Sequence, residues 1–393
     1  MQMQTIHLSE VITDIAAGPF GSNLKVSCFV DDGFPIIDGA NLKGMKVTDN
    51  ITKYVTEEKA RSLHRSITKR NDVVVTISGT LGQIAYIPFD SKYEEYLCSQ
   101  RQFRVTFDTT KVYVPYLVFY FHTYEGQNKI LSFANQVGVP ALSQPLKNFR
   151  QIEISIPTLK EQKKIASIIE SINGKIERNT AINDNLEQQA RALYQRMFID
   201  NPVSGGYMGT LSDIADITMG QSPNGSSYNE DGNGAVFFQG RAEFGFRFPS
   251  VRLYTTEPKR MACANDTLMS VRAPVGDLNV AYTDCCIGRG LAAIHSKSNQ
   301  QSFVLYTMFS LHKQLDVFNG EGTVFGSINR TSLTELPIFI PLDREIVKFE
   351  AIVTPIDAAI RNNYEEICRL EKIRDALLPK LMSGELDVSA IEI

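Results

Sequence analysis

The side chains of this chain that are best suited to specific chemistry are polar and basic groups of the kind that contact DNA. Arginine and lysine can bind guanine O6 and N7, and asparagine and glutamine can pair with adenine N6 and N7. Any one of them, taken alone, is also compatible with an ordinary solvated surface position. As a set on predicted loops they favour DNA, and the candidates are Asn23, Lys25, Asn41, Lys43, Lys46, Arg101, Gln102, Gln239, Arg241, Arg247, Arg252, Lys259, Arg260, Arg272 and Arg289.

Sequence motifs for catalysis are missing from the chain. It has no G-x-x-x-x-G-K-[ST] loop for a nucleotide, no G-x-S-x-G elbow and no H-E-x-x-H helix. Gly320-Glu321-Gly322 begins like a dinucleotide fingerprint, but Phe325 replaces the third glycine. Acid–x–lysine pairs, which metal-dependent nucleases use on strands, fall here in segments predicted to be polar helix or turn. We therefore expect no catalytic residue in this chain.

Cysteine and histidine are scattered rather than grouped. The six cysteines contain no C-x-x-C pair, and the five histidines lie far apart. Isolated thiols are more typical of small core residues than of a disulfide framework or a zinc site. We expect no bound metal.

Length and composition indicate an ordinary globular protein. With 393 residues the chain can form two domains or more. Its net charge of −4 argues against a generally basic coat, yet basic side chains gathered on one face could still bind DNA. The sequence shows no membrane-spanning apolar run and no signal-peptide pattern, so the expected location is the cytoplasm.

The chain repeats itself at about half its length. Gly18 and Gly220 each lie in a turn after the first repeated motif, and Gly82 matches Gly276. Such repetition indicates one structural unit used twice. The paired motifs are Leu8-Ser9-Glu10-Val11 with Leu211-Ser212-Asp213-Ile214, Asn71-Asp72-Val73 with Asn265-Asp266-Thr267, and Ile152–Pro157 with Leu336–Pro341.

Each copy predicts a mixed α/β domain dominated by strands. Val73–Ile77, Gln83–Ile87, Gln102–Phe107 and Leu278–Tyr282 are rich in β-branched, aromatic or apolar residues between turn residues. Short helices are predicted at Thr56–Leu63, Val114–His122 and Ser302–His312.

After each repeated proline the hydrophobic period becomes that of a heptad. Thr158-Leu159-Lys160-Glu161 is a capping box that predicts the start of the first helix. Two apolar series at a constant offset predict two long helices that pack on each other. The pairing residues are Ile165, Ile169, Ile172, Ile176, Asn179, Leu186 and Leu193 in the first helix, and Phe349, Val353, Ile356, Ile360, Asn363, Ile367, Leu370, Leu377 and Leu381 in the second.

The asparagines of the seam and a proline in the second helix lead to two further expectations. In an antiparallel pair Asn179 and Asn363 would meet near the middle of the seam; the alternative is that both amides face solvent. Pro355 lies inside the second series, and it predicts a kink or break near Val353–Pro355.

The organisation resembles the specificity subunit of type I restriction-modification systems over nearly the whole chain. The motifs that carry the resemblance are Ile154–Ile165 at the entry to the first helix and Leu377–Leu386 near the C-terminus, with Gly138 and Gly322 ahead of the final strands. The second helix entry departs from the pattern, because Pro341-Leu342-Asp343-Arg344-Glu345 lacks the glutamine that follows Glu161.

The resemblance implies target-recognition domains at residues 1–157 and 200–341. A first spacer helix at 158–199 and a second at 342–393, which includes a C-terminal tail, would form an antiparallel coiled coil. Each domain would bind one half of a bipartite, asymmetric double-stranded DNA site. Two modification (methyltransferase) subunits would dock on the helices, and restriction (motor-nuclease) subunits would complete the complex. S-adenosylmethionine, ATP and Mg would then belong to those partners. Two rival hypotheses stay open at this point, a coiled-coil adaptor without DNA specificity and a self-contained DNA-modifying enzyme.

Overall fold

The computed structural model describes residues 2–135, 138–200, 205–320 and 326–389. The chain divides into a first unit, Met1–Glu177 with Ile367–Ile393, and a second unit, Arg178–Glu366. Gly322 and Phe325, which entered the motif search, lie outside the described residues. Within the described ranges no helix is both long enough and apolar enough to cross a membrane.

The first unit is built from two main sheets. One has the strand order β2-β10-β7-β8 and the other β3-β5-β4-β9-β6, and β4 and β9 run parallel while the other pairs are antiparallel. Two further pairs are β1 with β13 and β11 with β12. The strands are β1 Gln4–His7, β2 Ile12–Ala17, β3 Phe29–Val30, β4 Phe34–Ile37, β5 Tyr54–Val55, β6 Ile67–Lys69, β7 Val73–Thr76, β8 Ile84–Tyr86, β9 Glu95–Cys98, β10 Gln102–Phe107, β11 Ala134–Asn135, β12 Ala141–Leu142 and β13 Glu153–Ile156.

Strand β7 shows how the sequence produces these layers. Successive side chains of a strand point to opposite faces. Val73 and Val75 pack into the core that holds helix residues such as Phe119, whereas Val74 packs into a second core with Ile37. All three valines are buried, so the run of β-branched residues forms a strand covered on both faces.

Five helices belong to the first half of the chain: α1 Glu57–Ser62, α2 Val114–Phe121, α3 Tyr124–Leu131, α4 Pro145–Arg150 and α5 Leu159–Tyr194. Every residue of α2 is buried, as its almost continuous apolar sequence demands. The predicted helices at Thr56–Leu63 and Val114–His122 are confirmed to within one residue at each end.

The second unit repeats the two main sheets and the terminal strand pair of the first; among the described residues the pair of β11 with β12 has no counterpart in it. Its main sheets have the orders β15-β23-β20-β21 and β16-β18-β17-β22-β19, with β17 and β22 parallel, and β14 pairs with β24. Its elements are α6 Leu211–Ile214, α7 Gln301–Ser310, α8 His312–Asp316, α9 Arg330–Thr334, β14 Tyr207–Thr210, β15 Ala215–Met219, β16 Tyr228–Asn229, β17 Ala235–Phe238, β18 Leu253–Thr255, β19 Met261–Ala262, β20 Thr267–Ser270, β21 Leu278–Val280, β22 Cys285–Ile287, β23 Leu291–Ser296 and β24 Pro337–Ile340.

The repeated Asn-Asp motif forms the same turn in both units. Asn71 and Asn265 have φ angles of 69° and 74°, a region in which asparagine is tolerated better than most residues. The buried carboxylate that follows accepts a backbone N–H bond, from Lys69 to Asp72 and from Cys263 to Asp266. This turn sets the start of β7 and β20, which explains why the motif recurs in the sequence.

The two long helices are α5 and α10, and α10 spans Asp343–Ser383. The predicted capping box is confirmed, because Glu161 accepts a bond from the Thr158 backbone N–H while the Thr158 hydroxyl accepts one from the Glu161 N–H. Within each unit a half of α5 packs antiparallel to a half of α10. In the first unit Arg374 donates to Asn173, and in the second Asn183 donates to the backbone carbonyl of Ile360. The fold is therefore mixed α/β, with strand-rich sheets and two long helices.

Two details of the helices differ from the expectations. Asn179 and Asn363 do not pair with each other: Asn179 donates to Glu366 at 2.7 Å, and Asn363 donates to Asn183 at 2.9 Å. The antiparallel register places residue 183, one helical turn further on, opposite residue 363. Helix α10 also runs unbroken through Pro355, at a cost of about 3 kcal/mol for the missing hydrogen bond. Burial of Val353 before the proline and of Ile360 after it helps to offset that cost.

Candidate nucleic-acid interface

A cleft lies at the carboxyl ends of β4, β7 and β9 in the first unit, with a volume of about 600 Å³. Residues that follow these strands line it, because the parallel pair β4 and β9 brings two strand ends to the same edge. The polar residues at this edge are Asp38, Lys53, Thr76, Ser78, Thr80, Gln83, Ser99, Gln100, Arg101 and Gln102. A concave site with several polar side chains at strand ends is typical of a ligand-binding surface.

The carboxylate charge of the first cleft is partly neutralised by other residues of the same cleft. Lys53 donates to Asp38 at 2.6 Å, and the Ala40 backbone N–H donates to the same carboxylate at 2.9 Å. Burial opposes ionisation, but these two contacts outweigh it and hold the pKa of Asp38 below its usual range. Gln83 is also engaged, since it accepts from Thr76 and donates to the Gly39 carbonyl. Arg101 and Gln100 are exposed at the rim, where a ligand could meet them.

The second unit has a cleft at the corresponding strand ends, with a volume of about 240 Å³. Its lining includes Gln239, Arg241, Arg272 and Arg289, four of the residues predicted to contact DNA. All four are exposed. Arg241 forms an ion pair with Asp277. The backbone N–H of Arg289 donates to Ser222 at 3.2 Å, which fixes the loop on which that guanidinium lies.

The repeated glycine turn allows both clefts to form. A Cβ at Gly18 would overlap the carbonyl oxygen of Ser99, and a Cβ at Gly220 would overlap that of Gly288. Ser99 and Gly288 directly follow the strands that end at the two clefts. Only glycine lets the neighbouring turn approach this loop so closely.

The other exposed candidates lie around or away from these clefts. Asn23 and Lys25 are exposed beside Leu24 and Val26, which line the first cleft. Lys43, Lys259 and Arg260 are exposed outside the clefts. Lys46 is half-buried and bonds Glu177 at 3.0 Å, and Arg252 bonds Glu243 at 2.9 Å. These side chains could reach phosphates but do not converge with the cleft residues.

Three predicted DNA contacts are buried in the structure. Asn41 accepts from the Asp38 N–H and donates to the carbonyls of Thr48 and Asn50, so its amide closes a loop. Gln102 is 1% exposed and accepts from the Ser99 hydroxyl at the foot of the first cleft. Both side chains are thus buried and bonded to groups of their own domain, and their contact with DNA stays a prediction.

Arg247 is the third, and it is only 3% exposed. Its Nη2 lies 3.0 Å from the Tyr306 hydroxyl, 3.3 Å from Glu187 and 3.5 Å from Asp357. Burial opposes the charge, but the surrounding phenol and carboxylates outweigh it and raise the pKa of Arg247. Its role is to tie the second domain to α5 and α10 within the second unit.

The predicted helix-pairing residues lie on the covered faces of α5 and α10. In the first helix Ile165 and Ile169 are fully buried, and Asn179 is buried as well. In the second, Phe349, Val353 and Ile360 are fully buried and Leu381 nearly so. The remaining members are half-buried: Ile172, Ile176, Leu186, Leu193, Ile356, Asn363, Ile367, Leu370 and Leu377.

Sequence reasoning missed several residues of the first cleft, namely Lys53, Ser78 and Gln100. Gln100 directly precedes Arg101, so the turn before β10 was a detectable signal. Lys53 carried no such signal, because it reaches the cleft only through the pairing of β4 with β5. Among the described residues no group of three His, Cys, Asp or Glu side chains is placed to hold a metal ion.

Known proteins resemble this chain in both sequence and fold. A family model described as type I restriction modification DNA specificity domain matches residues 23–188. The chain is 31% identical over 294 residues to a putative type I restriction enzyme MjaX specificity subunit of Methanocaldococcus jannaschii, covering 70% of this chain and 68% of that protein. It is 23% identical over 372 residues to the MjaIX specificity subunit of the same organism, covering 86% and 82%.

A solved structure extends the likeness to the fold. The crystal structure of the type I restriction-modification system S subunit from M. genitalium matches with a TM-score of 0.62 at 15% identity, over 97% of this chain and 96% of that one.

Proposed function

Because this chain belongs to the DNA specificity subunits of type I restriction-modification systems, we propose that each of its two domains binds one half of a bipartite, asymmetric DNA site. The observation that carries this proposal is the presence of two clefts at corresponding strand ends, lined by different polar side chains. A repeated frame with different linings suits two different half-sites. Side chains in the clefts would contact base edges, and the exposed lysines and arginines around them would contact phosphates.

The chain would act through partner subunits rather than through catalytic groups of its own. Two modification subunits dock on the long helices, and restriction subunits join that complex. S-adenosylmethionine, ATP and Mg bind those partners, and the whole complex works in the cytoplasm. Exposed apolar side chains on the helices support docking: Ile182 on α5 and Val347, Ile352 and Ile373 on α10 are each about half exposed. Such residues outside the pairing seam are typical of protein contact surfaces.

A binding selection on random-sequence duplexes tests the proposal. The chain is used alone and together with the modification subunits encoded with it, at about 150 mM salt. We expect a bipartite sequence to be enriched at least with the partners present. An affinity that falls steeply with salt, without any selected sequence in either condition, would leave only nonspecific DNA binding. No binding in either condition would favour the adaptor hypothesis.

Exchange of one domain tests whether each domain recognises its own half-site. Replacing residues 1–157 with the corresponding domain of another specificity subunit should change one half-site and leave the other intact. The readout is the sequence of the methylated sites in a plasmid that carries the complete system. A change in both half-sites would contradict the proposal that each domain recognises its half independently.

A further inference from the structure

Three corresponding positions distinguish the two clefts. The paired strands give the correspondence directly, since Ile37 beside Cys98 in the first unit matches Phe238 beside Ile287 in the second. Gln102 opposite Thr76 likewise matches Leu291 opposite Ser270. Counting outward from these pairs, the first cleft has Ala40, Ser78 and Gln100 where the second has Arg241, Arg272 and Arg289.

An independent contact supports the same alignment. Ser78 forms an isolated bridge to Ala141, and Arg272 forms the corresponding bridge to Ser327. The three arginines thus lie on a framework that is otherwise shared, and no shift of the strands is needed to explain them. The difference between the clefts is one of side-chain chemistry.

Two of these arginines are available to a ligand. Arg272 and Arg289 are exposed, and neither guanidinium has an acidic partner among the residues that the structure describes. Arg241 differs, because its ion pair with Asp277 holds it at the side of the cleft. Within the described residues, the second cleft therefore presents two planar guanidinium groups that are not paired with an acid, and Gln239 lines the same cleft.

The backbone of the second cleft also permits a close approach. A Cβ at Gly288 would lie 2.9 Å from the backbone of Gln239, and a Cβ at Gly290 would lie 2.9 Å from its carbonyl oxygen. The two glycines let the loop that carries Arg289 pack directly on the loop that carries Gln239. Arg289 is consequently held on a short, tightly packed segment, which favours a defined direction for its side chain.

We infer that the half-site recognised by the second domain contains at least two guanines, contacted by Arg272 and Arg289. This inference rests on the proposed function. A guanidinium donates two parallel hydrogen bonds to guanine O6 and N7 in the major groove, and the other bases do not offer that pair of acceptors. The first cleft lacks arginine at all three positions, so its half-site is recognised with different chemistry, through Gln100 and Arg101 at the rim.

The competing role for an exposed arginine is contact with a phosphate, and the two roles give different results on substitution. Loss of a base contact removes the preference at one position, whereas loss of a phosphate contact weakens binding to all sequences alike. For a bidentate guanine contact the expected loss of discrimination is about 5- to 150-fold at that position.

The test uses the full chain in complex with its modification subunits, and its readouts are selected binding sequences and methylated genomic sites. Four forms are compared: wild type, Arg272→Ala, Arg289→Gln and Lys259→Ala. Arg289→Gln introduces the residue that the first cleft has at the same position. Lys259→Ala is the matched control, since it removes an exposed positive charge of the same domain outside the cleft. The half-site that survives exchange of residues 1–157 is assigned to the second domain.

We expect two or more guanines in that half-site for wild type. Arg272→Ala should remove the preference for one of these guanines, and Arg289→Gln should replace another by adenine or by no preference. Lys259→Ala should keep both preferences, with at most a uniform weakening of binding to all sequences. A bipartite site whose second half has fewer than two guanines overturns the inference and leaves the proposed function standing. If both arginine variants weaken binding to all sequences alike, the inference is likewise overturned and the proposed function stands. Absence of any selected sequence with the wild-type complex refutes the proposed function itself.

Discussion

Replacing Arg247 by alanine should destabilise the second unit without changing the DNA sequence selected. The guanidinium is almost fully buried, and it contacts Tyr306, Glu187 and Asp357. Alanine would leave two acidic side chains without their shared cation. Glu187 keeps Arg191 at 2.6 Å, and Asp357 keeps the hydroxyl of Ser302 at 2.7 Å, so neither acid is left entirely without partners.

The size of the effect follows from burial. Removing one partner of a buried ion pair costs about 3–5 kcal/mol. The remaining partners of both acids place this case at the lower end, about 3 kcal/mol. For a unit of this size, 1 kcal/mol corresponds to roughly 2–4 °C in Tm, so we expect the Tm to fall by about 6–12 °C. Arg241→Ala is the control, because its ion pair with Asp277 is exposed and contributes at most about 1 kcal/mol.

Hydrogen exchange read by mass spectrometry is the suitable assay, because a chain with two units need not unfold in one step. Protection should fall in peptides from residues 178–366 and persist in those from the first unit. Arg247→Met combined with Glu187→Gln should recover part of the loss, since it leaves fewer unpaired charges. An Arg247→Ala variant with wild-type protection and an altered DNA preference would refute this reasoning and restore Arg247 as a base contact.

Three further predictions concern the seam between the long helices, the half-buried His122 and the first cleft. Asn363→Ala should lower the free energy of unfolding by about 1–2 kcal/mol, because the Asn183 amide oxygen loses its donor. The double variant Asn183→Leu with Asn363→Leu should recover most of that loss. Additive losses in a urea double-mutant cycle would contradict this coupling. Burial, together with the charge of Arg374, lowers the pKa of His122, whose Nε2 contacts the Ile84 carbonyl. The unfolded chain binds a proton near pH 6.5 that the folded chain does not, so the first unit should lose stability as the pH falls from about 7 to 5. His122→Gln should flatten that dependence in urea midpoints, and an unchanged slope would exclude this histidine as its source. Gly18→Val should displace the Ser99 loop and impair methylation through the first half-site. Gly44→Ala is the control and should leave methylation unchanged, because a Cβ at Gly44 meets open space. Equal methylation activity of the two variants would refute the role of Gly18.

Local signals predicted the repeated framework because each signal corresponds to a local requirement of the backbone. Asn71 and Asn265 mark the same positive-φ turn, and Thr158 with Glu161 marks the start of α5. The register between α5 and α10 was not predictable in the same way. A heptad fixes which face is covered, but a shift of one turn leaves the pattern unchanged, so Asn363 meets Asn183 instead of Asn179.

The cleft was predictable only in part, for a physical reason. Arg272 follows β20, whose Asn265-Asp266-Thr267 motif repeats the start of the predicted strand Val73–Ile77, so its place at a strand end could be anticipated. Arg289 follows β22, a strand that was not predicted. Arg247 stands among phenylalanines, a pattern that also suits a DNA surface. Its acidic partners lie on helices remote in the sequence, and nothing near Arg247 indicates them. Burial of a charged residue depends on such distant partners, and local composition carries no information about them.

The position of the clefts explains how one framework can serve two different sequences. The side chains that differ between the clefts follow the strands, where no core residue depends on them: Ala40 and Gln100 are exposed, as are Arg241, Arg272 and Arg289. The strands beneath keep the same order and the same parallel pair in both units. Substitutions at exposed positions away from special backbone conformations usually change stability by less than about 0.5 kcal/mol. If the clefts bind DNA as proposed, its preference can change at these three positions while the valines of β7, buried on both faces, continue to hold the domain together.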